Sequence, residues 1–365
     1  MKKIITFSIF FSLLLTGCSF TQNKEVVTTD DFSEKTTTEV TYSTPPSRMT
    51  IGMIGDILLH NPLYTYDDYA YSFAEVKASM ESIDFLLANQ ESMPAGDIFD
   101  YSGYPAFNSP AHIIKGLQDV GVDMVSIANN HTLDRGEKGT LAAIENIKSY
   151  GMPYVGAYTS FEDQDEPRIM TVNGITIGFL AYTYGTNGIP TPEGKDYLVA
   201  RIDPERISRE VKAMKKLVDV AVVSMHWGNE YELSPNQTQK DLAQGIADAG
   251  GDIIFGHHPH VLQQFDLLEG ENGNPTHVFY SLGNFFSGQK FDYTDIGGIA
   301  RLTIEKNQSN TISPITISHP SFLPTAVVKD ANEVFRVVPL VAVEKEKIVS
   351  NDWVLDHMNA ALFAE

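Results

Sequence analysis

Three imidazoles fall within four positions in Gly256-His257-His258-Pro259-His260, directly after the apolar run Asp252-Ile253-Ile254-Phe255. Neutral imidazole is the commonest metal ligand, and alternate residues leaving a strand end can turn two rings toward one point. Four more polar clusters follow apolar runs upstream: Gly55-Asp56 with His60, Asn89-Gln90-Glu91, Asn129-Asn130-His131 and His226-Trp227-Gly228. Carboxylate, amide and imidazole donors without cysteine suit divalent Mn, Fe or Zn better than soft ions. The chemistry such a set supports is hydrolysis by a metal-activated water.

Each cluster also has a plainer reading. Asp56 after Gly55 is, taken alone, more often a helix N-cap, and His60 is either a ligand or a substrate contact. Asn89 and Glu91 are one residue apart, so both can face one side of an extended segment. A carboxylate such as Glu91 can bridge two cations, one oxygen to each, or simply pair with a lysine in a loop. An amide oxygen in Asn129-Asn130 can ligate a metal, and His131 can give a proton to a leaving oxygen. The same asparagines also suit a turn. His226 alone would be structural; its neighbours give it weight.

These clusters need elements to carry them. Met49–Ile54 reads as a strand feeding a loop at Gly55-Asp56, residues 71–87 have mixed helical periodicity, and 85–88 run apolar into Asn89. A helix over 111–120 ends before Gly121, a strand covers 122–128, and a helix over 140–150 stops at Gly151. Asn173-Gly174 inside 172–180 signals a hairpin. Helices at 204–217 and 238–249 alternate with strands at 218–224, 252–255 and 277–281. Antiparallel strands are expected near 300–304 and 334–338, and a terminal helix around Trp353. Alternating strands and helices make an α/β fold, in which ligands gather at the carboxyl ends of strands.

The motifs resemble the CapA family of poly-gamma-glutamate capsule synthesis, within the calcineurin-like metallophosphatase superfamily. The resemblance rests on Gly55-Asp56, Asn89-Gln90-Glu91, Asn129 to Asp134, His226 to Glu230, Gly256 to His260 and Tyr280-Ser281-Leu282-Gly283-Asn284-Phe285, in that order. It implies a sandwich of two packed, mainly mixed β-sheets flanked by α-helices, with a two-metal site at the loops. By position it implies Asp56 and His260 at the first ion, Asn130, His226 and His258 at the second, Glu91 between them, and His131 as general acid. His60, Asn89, Asn129, Asp134, His257 and Asn284 are implied as substrate contacts or supports. The chain departs from the superfamily where Asp-x-His is usual, since the next histidine is His60, and where Glu91 replaces the usual Asp. His257 beside His258 leaves the last motif open by one position.

The N-terminus points to export. Lys2 and Lys3 precede the apolar Ile4–Leu15, and Leu15-Thr16-Gly17-Cys18 resembles a bacterial lipobox. Residues 1–17 are expected to be a lipoprotein signal peptide, and 18–48 a lipidated Cys18 followed by a disordered Thr/Ser-rich stalk. Residues 49–345 are expected to form the metallophosphatase-like domain and 346–365 a C-terminal helix or tail. Cys18 is the sole cysteine, so no intramolecular disulfide is available. The expected location is extracytoplasmic, lipid-anchored to a bacterial, Gram-positive cell membrane.

The formal charge of −21 becomes −23 once Lys2 and Lys3 are removed (−21 − 2). That charge disfavours nucleic acid as a partner. The expected partners are the membrane through the lipid anchor, an anionic polymer or phosphoester substrate, and membrane-bound polymer synthesis and export proteins. Two functions compete: a surface-tethered hydrolase of phosphoesterase type, and a non-catalytic capsule assembly or export component that binds through metal. A solute-binding lipoprotein would need two similar lobes, which this order of elements does not give.

Overall fold

In a computed structural model, which describes residues 47–307 and 314–364, the alternating apolar pattern resolves into two mixed sheets flanked by helices. The signal segment, Cys18 and all but the last two residues of the expected stalk lie outside the described residues. Fourteen strands follow in chain order: β1 (Ser47–Leu58), β2 (Phe85–Gln90), β3 (Met124–Ser126), β4 (Tyr154–Val155), β5 (Arg168–Val172), β6 (Ile175–Thr183), β7 (Val220–His226), β8 (Ile253–His257), β9 (Leu262–Glu269), β10 (Pro275–Leu282), β11 (Asn284–Ser287), β12 (Ile296–Lys306), β13 (Ile315–Lys329) and β14 (Phe335–Pro339). The helices are α1 (Ala70–Phe73), α2 (Lys77–Glu81), α3 (Ile113–Gln118), α4 (Gly136–Ser149), α5 (Phe161–Asp165), α6 (Pro204–Met214), α7 (Gln237–Asp248) and α8 (Asn351–His357).

The first sheet runs β14-β13-β12-β1-β2-β3-β4, with β11 also paired to β1; the second runs β5-β6-β7-β8-β10-β9. In the first sheet β1 to β4 are parallel and β12, β13 and β14 add antiparallel on the other side of β1; in the second β6, β7, β8 and β10 are parallel and the edge strands β5 and β9 antiparallel. Met49, Ile51 and Met53 of β1, Phe85 and Leu87 of β2, and Val220 and Val222 of β7 bury one face in a shared core. Phe85 stacks on Phe179 of the other sheet at 5.1 Å. The opposite faces, Leu86 and Ala88 on β2 and Val223 and Met225 on β7, pack against helices. This is the period-two alternation of strands covered on both sides.

Local chemistry sets the helix ends. Asp203 caps α6 by accepting from Arg206 N at 2.9 Å, with Pro204 next in the chain; Ile207, Val211 and Met214 form the buried stripe. Asn236 and Gln239 form a reciprocal capping box on α7.

Several expectations are corrected. β1 begins at Ser47, inside the expected stalk, and runs past Asp56 to Leu58, because β11 pairs with Asp56–Leu58 beyond the point where β12 leaves. Asp56 is therefore a strand residue at a register shift, not a helix N-cap. Residues 71–87 form two short helices and the start of β2 rather than one helix. Asp84 draws the chain across by accepting from Thr50 N at 2.7 Å. The terminal helix stops at His357, since Asn359 has φ +54° and gives its side-chain amide to Phe265 O. Val354 and Met358 are buried in the core between the sheets, so this segment packs as part of the fold. β9, β11 and β13 have no counterpart in the sequence reading. No helix among the described residues is long and apolar enough to cross a membrane.

Candidate metal centre

Parallel pairing puts the polar clusters at one end of both sheets. Asp56 is in register with Asn89 on one side and Asn284 on the other; Asn89 pairs with Ser126, just before the loop holding Asn129–His131. In the second sheet His226 is in register with His257. Gly256 allows this arrangement, because a Cβ there would lie 1.9 Å from Tyr280 O and 2.7 Å from Trp227 Nε1.

Two ligand groups result, both buried: Glu91 with His258 and His260, and Asp56 with Glu91 and His226. Within each group, one donor atom per residue lies within 4.8 Å of the others. Glu91 belongs to both. This partition differs from the one implied by resemblance, which set Asp56 with His260 and His226 with His258; the shared position of Glu91 is common to both. Asn130 Oδ1 sits 2.8 Å from His226 Nε2.

The remaining histidines separate by what their nitrogens touch. His257 has Nδ1 at 3.0 Å from Asp56 Oδ1 and Nε2 at 3.4 Å from Met53 Sδ, so it supports Asp56 from behind. His258 Nδ1 is buried with no protein partner. His260 Nδ1 lies 3.1 Å from both Asp56 Oδ2 and Asn284 Oδ1, and its Nε2 3.7 Å from Glu91 Oε1. His258 and His260 hold φ of +95° and +59°, left-handed values that cost a non-glycine residue about 1–3 kcal/mol each and gather at functional sites. His60 joins neither group. It lies near Leu58 O and Ser287, edge-on to Phe107, with burial pushing its pKa down to about 4.

The donor set fits divalent cations. Glu91 Oε1 and Asn89 Oδ1 are buried without hydrogen-bond partners, like His258 Nδ1. Asn89 donates through Nδ2 to Asp56 Oδ1 at 2.8 Å. Among the described residues no Lys or Arg forms an ion pair with Asp56 or Glu91; their ion-pair partners are histidines. Burial pushes both carboxyls up, but bonds and charge from His257 and His260 hold Asp56 well below its ordinary range. Burial, then the charge of Asp56, drives Glu91 well above its own. Burial, reinforced by the neighbouring His260, lowers His258 to about 3 and keeps the ring in its neutral, ligating form. A buried acid strained in this way, beside neutral imidazoles, is what a bound cation would relieve.

His131 stands beside the ligand groups. Its Nδ1 is 2.7 Å from Asp134 Oδ2, which also accepts from Phe107 N at 2.7 Å. Phe107 packs edge-on against the His131 ring at 4.6 Å. Asn129 builds the turn beneath: its Oδ1 accepts from His131 N, and its Nδ2 donates to Gln90 O.

The family model described as "Bacterial capsule synthesis protein PGA_cap" matches residues 50–289, a span that contains every residue named above. The chain belongs to the PGA_cap family. It is similar to "Capsule biosynthesis protein CapA" of Bacillus anthracis, 31% identical over 307 residues covering 79% of this chain and 72% of that one. It is also similar to "PGA biosynthesis protein CapA" of Bacillus subtilis (strain 168), 33% identical over 219 residues, 60% and 56% of the two chains. Among solved structures, a 5'-nucleotidase precursor from Thermus thermophilus aligns with TM-score 0.44 and 15% identity, over 80% of this chain and 54% of that one.

In this PGA_cap chain a cavity of about 410 Å³ opens next to the centre, lined among others by Tyr104, Ala106, Asn130, His131, Asn187 and Glu230. Asn187 Nδ2 reaches 3.3 Å from His131 Nδ1, and its Oδ1 accepts from Asn130. Tyr184 packs 4.5 Å from the His258 ring and Tyr231 6.3 Å from that of His260. Sequence reading gave no role to Tyr104, Asn187, Tyr184, Glu230 or Tyr231, which sit in loops without periodicity. Two signals were present: Thr186-Asn187-Gly188 is a turn sequence, and Tyr184 directly follows β6, whose last residue is in register with His226.

Proposed function

We propose that this PGA_cap chain is a surface-tethered, metal-dependent hydrolase of phosphoesterase type that serves the synthesis of poly-gamma-glutamate or a related envelope polymer. The observation that carries this reading is the pair of buried ligand groups sharing Glu91, whose Oε1 has no protein hydrogen-bond partner, set beside His131. Two divalent ions of Mn, Fe or Zn held by Asp56, Glu91, Asn130, His226, His258 and His260 would supply an activated water and offset charge developing on the substrate oxygens.

The other steps belong to the chain itself. Asp134 takes Nδ1 of His131, which leaves Nε2 to give a proton to the leaving oxygen. Phe107, edge-on to that ring, fixes its plane. His257 and Asn284 orient Asp56 and His260 from behind. Lipidation of Cys18 would hold the chain outside the cytoplasm on the membrane, near membrane-bound synthesis and export proteins. The names of the CapA relatives support the pathway; the donor geometry supports the hydrolysis.

The test is elemental analysis of the full chain, purified without chelator or affinity metal, beside His258→Ala/His260→Ala. The expected result is about two transition-metal ions per chain, lost in the variant, with chelator-reversible hydrolysis of chromogenic phosphoesters. A folded wild type that takes up no Mn or Zn when offered overturns the metal centre. Metal without turnover would assign the chain to the assembly role instead.

A further inference from the structure

The cleft beside His131 lacks the groups that usually grip a phosphate. None of the residues lining it is Lys or Arg. Arg135 and Arg201 bond to residues of its walls. Arg135 donates to Ala106 O at 2.9 Å and to the Ser102 hydroxyl; Arg201 donates to the Thr186 hydroxyl at 2.8 Å and to Ile189 O at 3.3 Å.

What faces the cavity is a carboxylate among tyrosines. The Glu230 side chain is 43% exposed, with Oε1 4.0 Å from His260 Nε2 and no lysine or arginine paired with it among the described residues. Tyr104, Tyr184 and Tyr231 are 74%, 47% and 39% exposed around it. Burial first, then the charge of Glu230, pushes the hydroxyls of Tyr184 and Tyr231 up to about 12, so both rings stay neutral. A carboxylate with tyrosine rings close by is suited to an ammonium group: the charge pairs with the acid, and an exposed ring can add cation–π attraction.

We propose that Glu230, bordered by Tyr104, Tyr184 and Tyr231, determines the specificity of the centre by holding an ammonium group of the substrate beside the bond acted on. The proposal rests on the hydrolase reading above for the word "substrate", but the ammonium site itself can be measured by binding alone. A dianionic phosphate monoester without an amine would meet Glu230 with no lysine or arginine in the lining to offset its charge.

The test compares phosphocholine with methyl phosphate, which differ by the quaternary ammonium arm, by calorimetric titration of the Mn-loaded full chain. Phosphocholine is expected to bind at least ~10-fold more tightly, a preference of the size cation–π and carboxylate contacts supply. Glu230→Gln should abolish the preference while elemental analysis finds its metal retained, and Glu230→Asp should recover part of it. The kcat/KM ratio of p-nitrophenyl phosphocholine to ethyl p-nitrophenyl phosphate should move in parallel. Equal binding of both probes by the wild type overturns the proposal, as does a preference that survives in Glu230→Gln. Metal loss in Glu230→Gln also overturns it, by making Glu230 a ligand. Preferential binding without turnover leaves the ammonium site standing and removes the hydrolase reading. Turnover without preference does the reverse.

Discussion

At the scale of single residues, the centre depends on what each imidazole nitrogen touches. His131 has Asp134 on Nδ1, so Nε2 is the nitrogen left for a substrate, and it donates only when both nitrogens carry protons. Two substitutions separate its parts. His131→Ala is expected to keep the metal and lose hydrolysis by about 10²–10⁴-fold, the usual worth of a positioned proton donor. Asp134→Asn should keep the metal too and lower kcat at least ~10-fold by releasing the ring from one orientation and tautomer; the pH profile of kcat should shift with it. Metal loss in either variant, measured by elemental analysis, would make His131 a ligand instead. His257 differs from His258 in the same way: both its nitrogens are engaged by Asp56 and Met53, while His258 Nδ1 is free of protein partners.

At the scale of elements, the sheets hold the ends of β1, β2, β7 and β8 in register, and the core between the sheets fixes that register. Phe179 of β6 is buried and stacks on Phe85 of β2 across this core. Phe179→Ala should cost about 3–5 kcal/mol in urea unfolding, and a loss below ~1 kcal/mol would mean the sheets do not depend on that contact. β10 carries an acid-sensitive group away from the centre. Burial pushes His277 down to about 4, below its unfolded value, so the unfolded chain binds this proton first. Its contribution is complete above pH ~6.5 and drains away as pH falls toward 4. His277→Leu should therefore remove roughly 2 kcal/mol of the stability drop between pH 7 and pH 5. An unchanged drop, measured by urea titration at both pH values, would place the acid sensitivity elsewhere.

At the scale of the whole molecule, anchoring and site chemistry are separable. Cys18→Ala should leave the chain unacylated by mass spectrometry and move it from the membrane to the soluble fraction, with metal content unchanged. Acylation that persists in that variant would sink the lipoprotein reading. The chain carries a formal charge of −21, which repels anionic polymers at long range unless a cation or an ammonium site draws them in. Family membership places the chain among capsule synthesis proteins, and the charge pattern of the cleft sets which end of a substrate can approach.

Residue types and order were enough to bring out the polar strand-end clusters and the α/β class, because polar groups after apolar runs are a local pattern; the two-sheet arrangement and the family came from the resemblance those motifs carry. The capping residues of α6 and α7 are equally local, since a cap acts within one turn. Tertiary structure alone decided the rest. It drew Asp56 into β1 by pairing it with Asn284, a neighbour more than two hundred positions away. It turned His257 inward and left His258 and His260 at positive φ facing Glu91. It brought Glu230 and Tyr104 to one cleft and set Tyr184 and Tyr231 within the electrostatic reach of Glu230. No period in the chain encodes such contacts, because side-chain direction at a strand end follows from register and backbone angles set by distant partners.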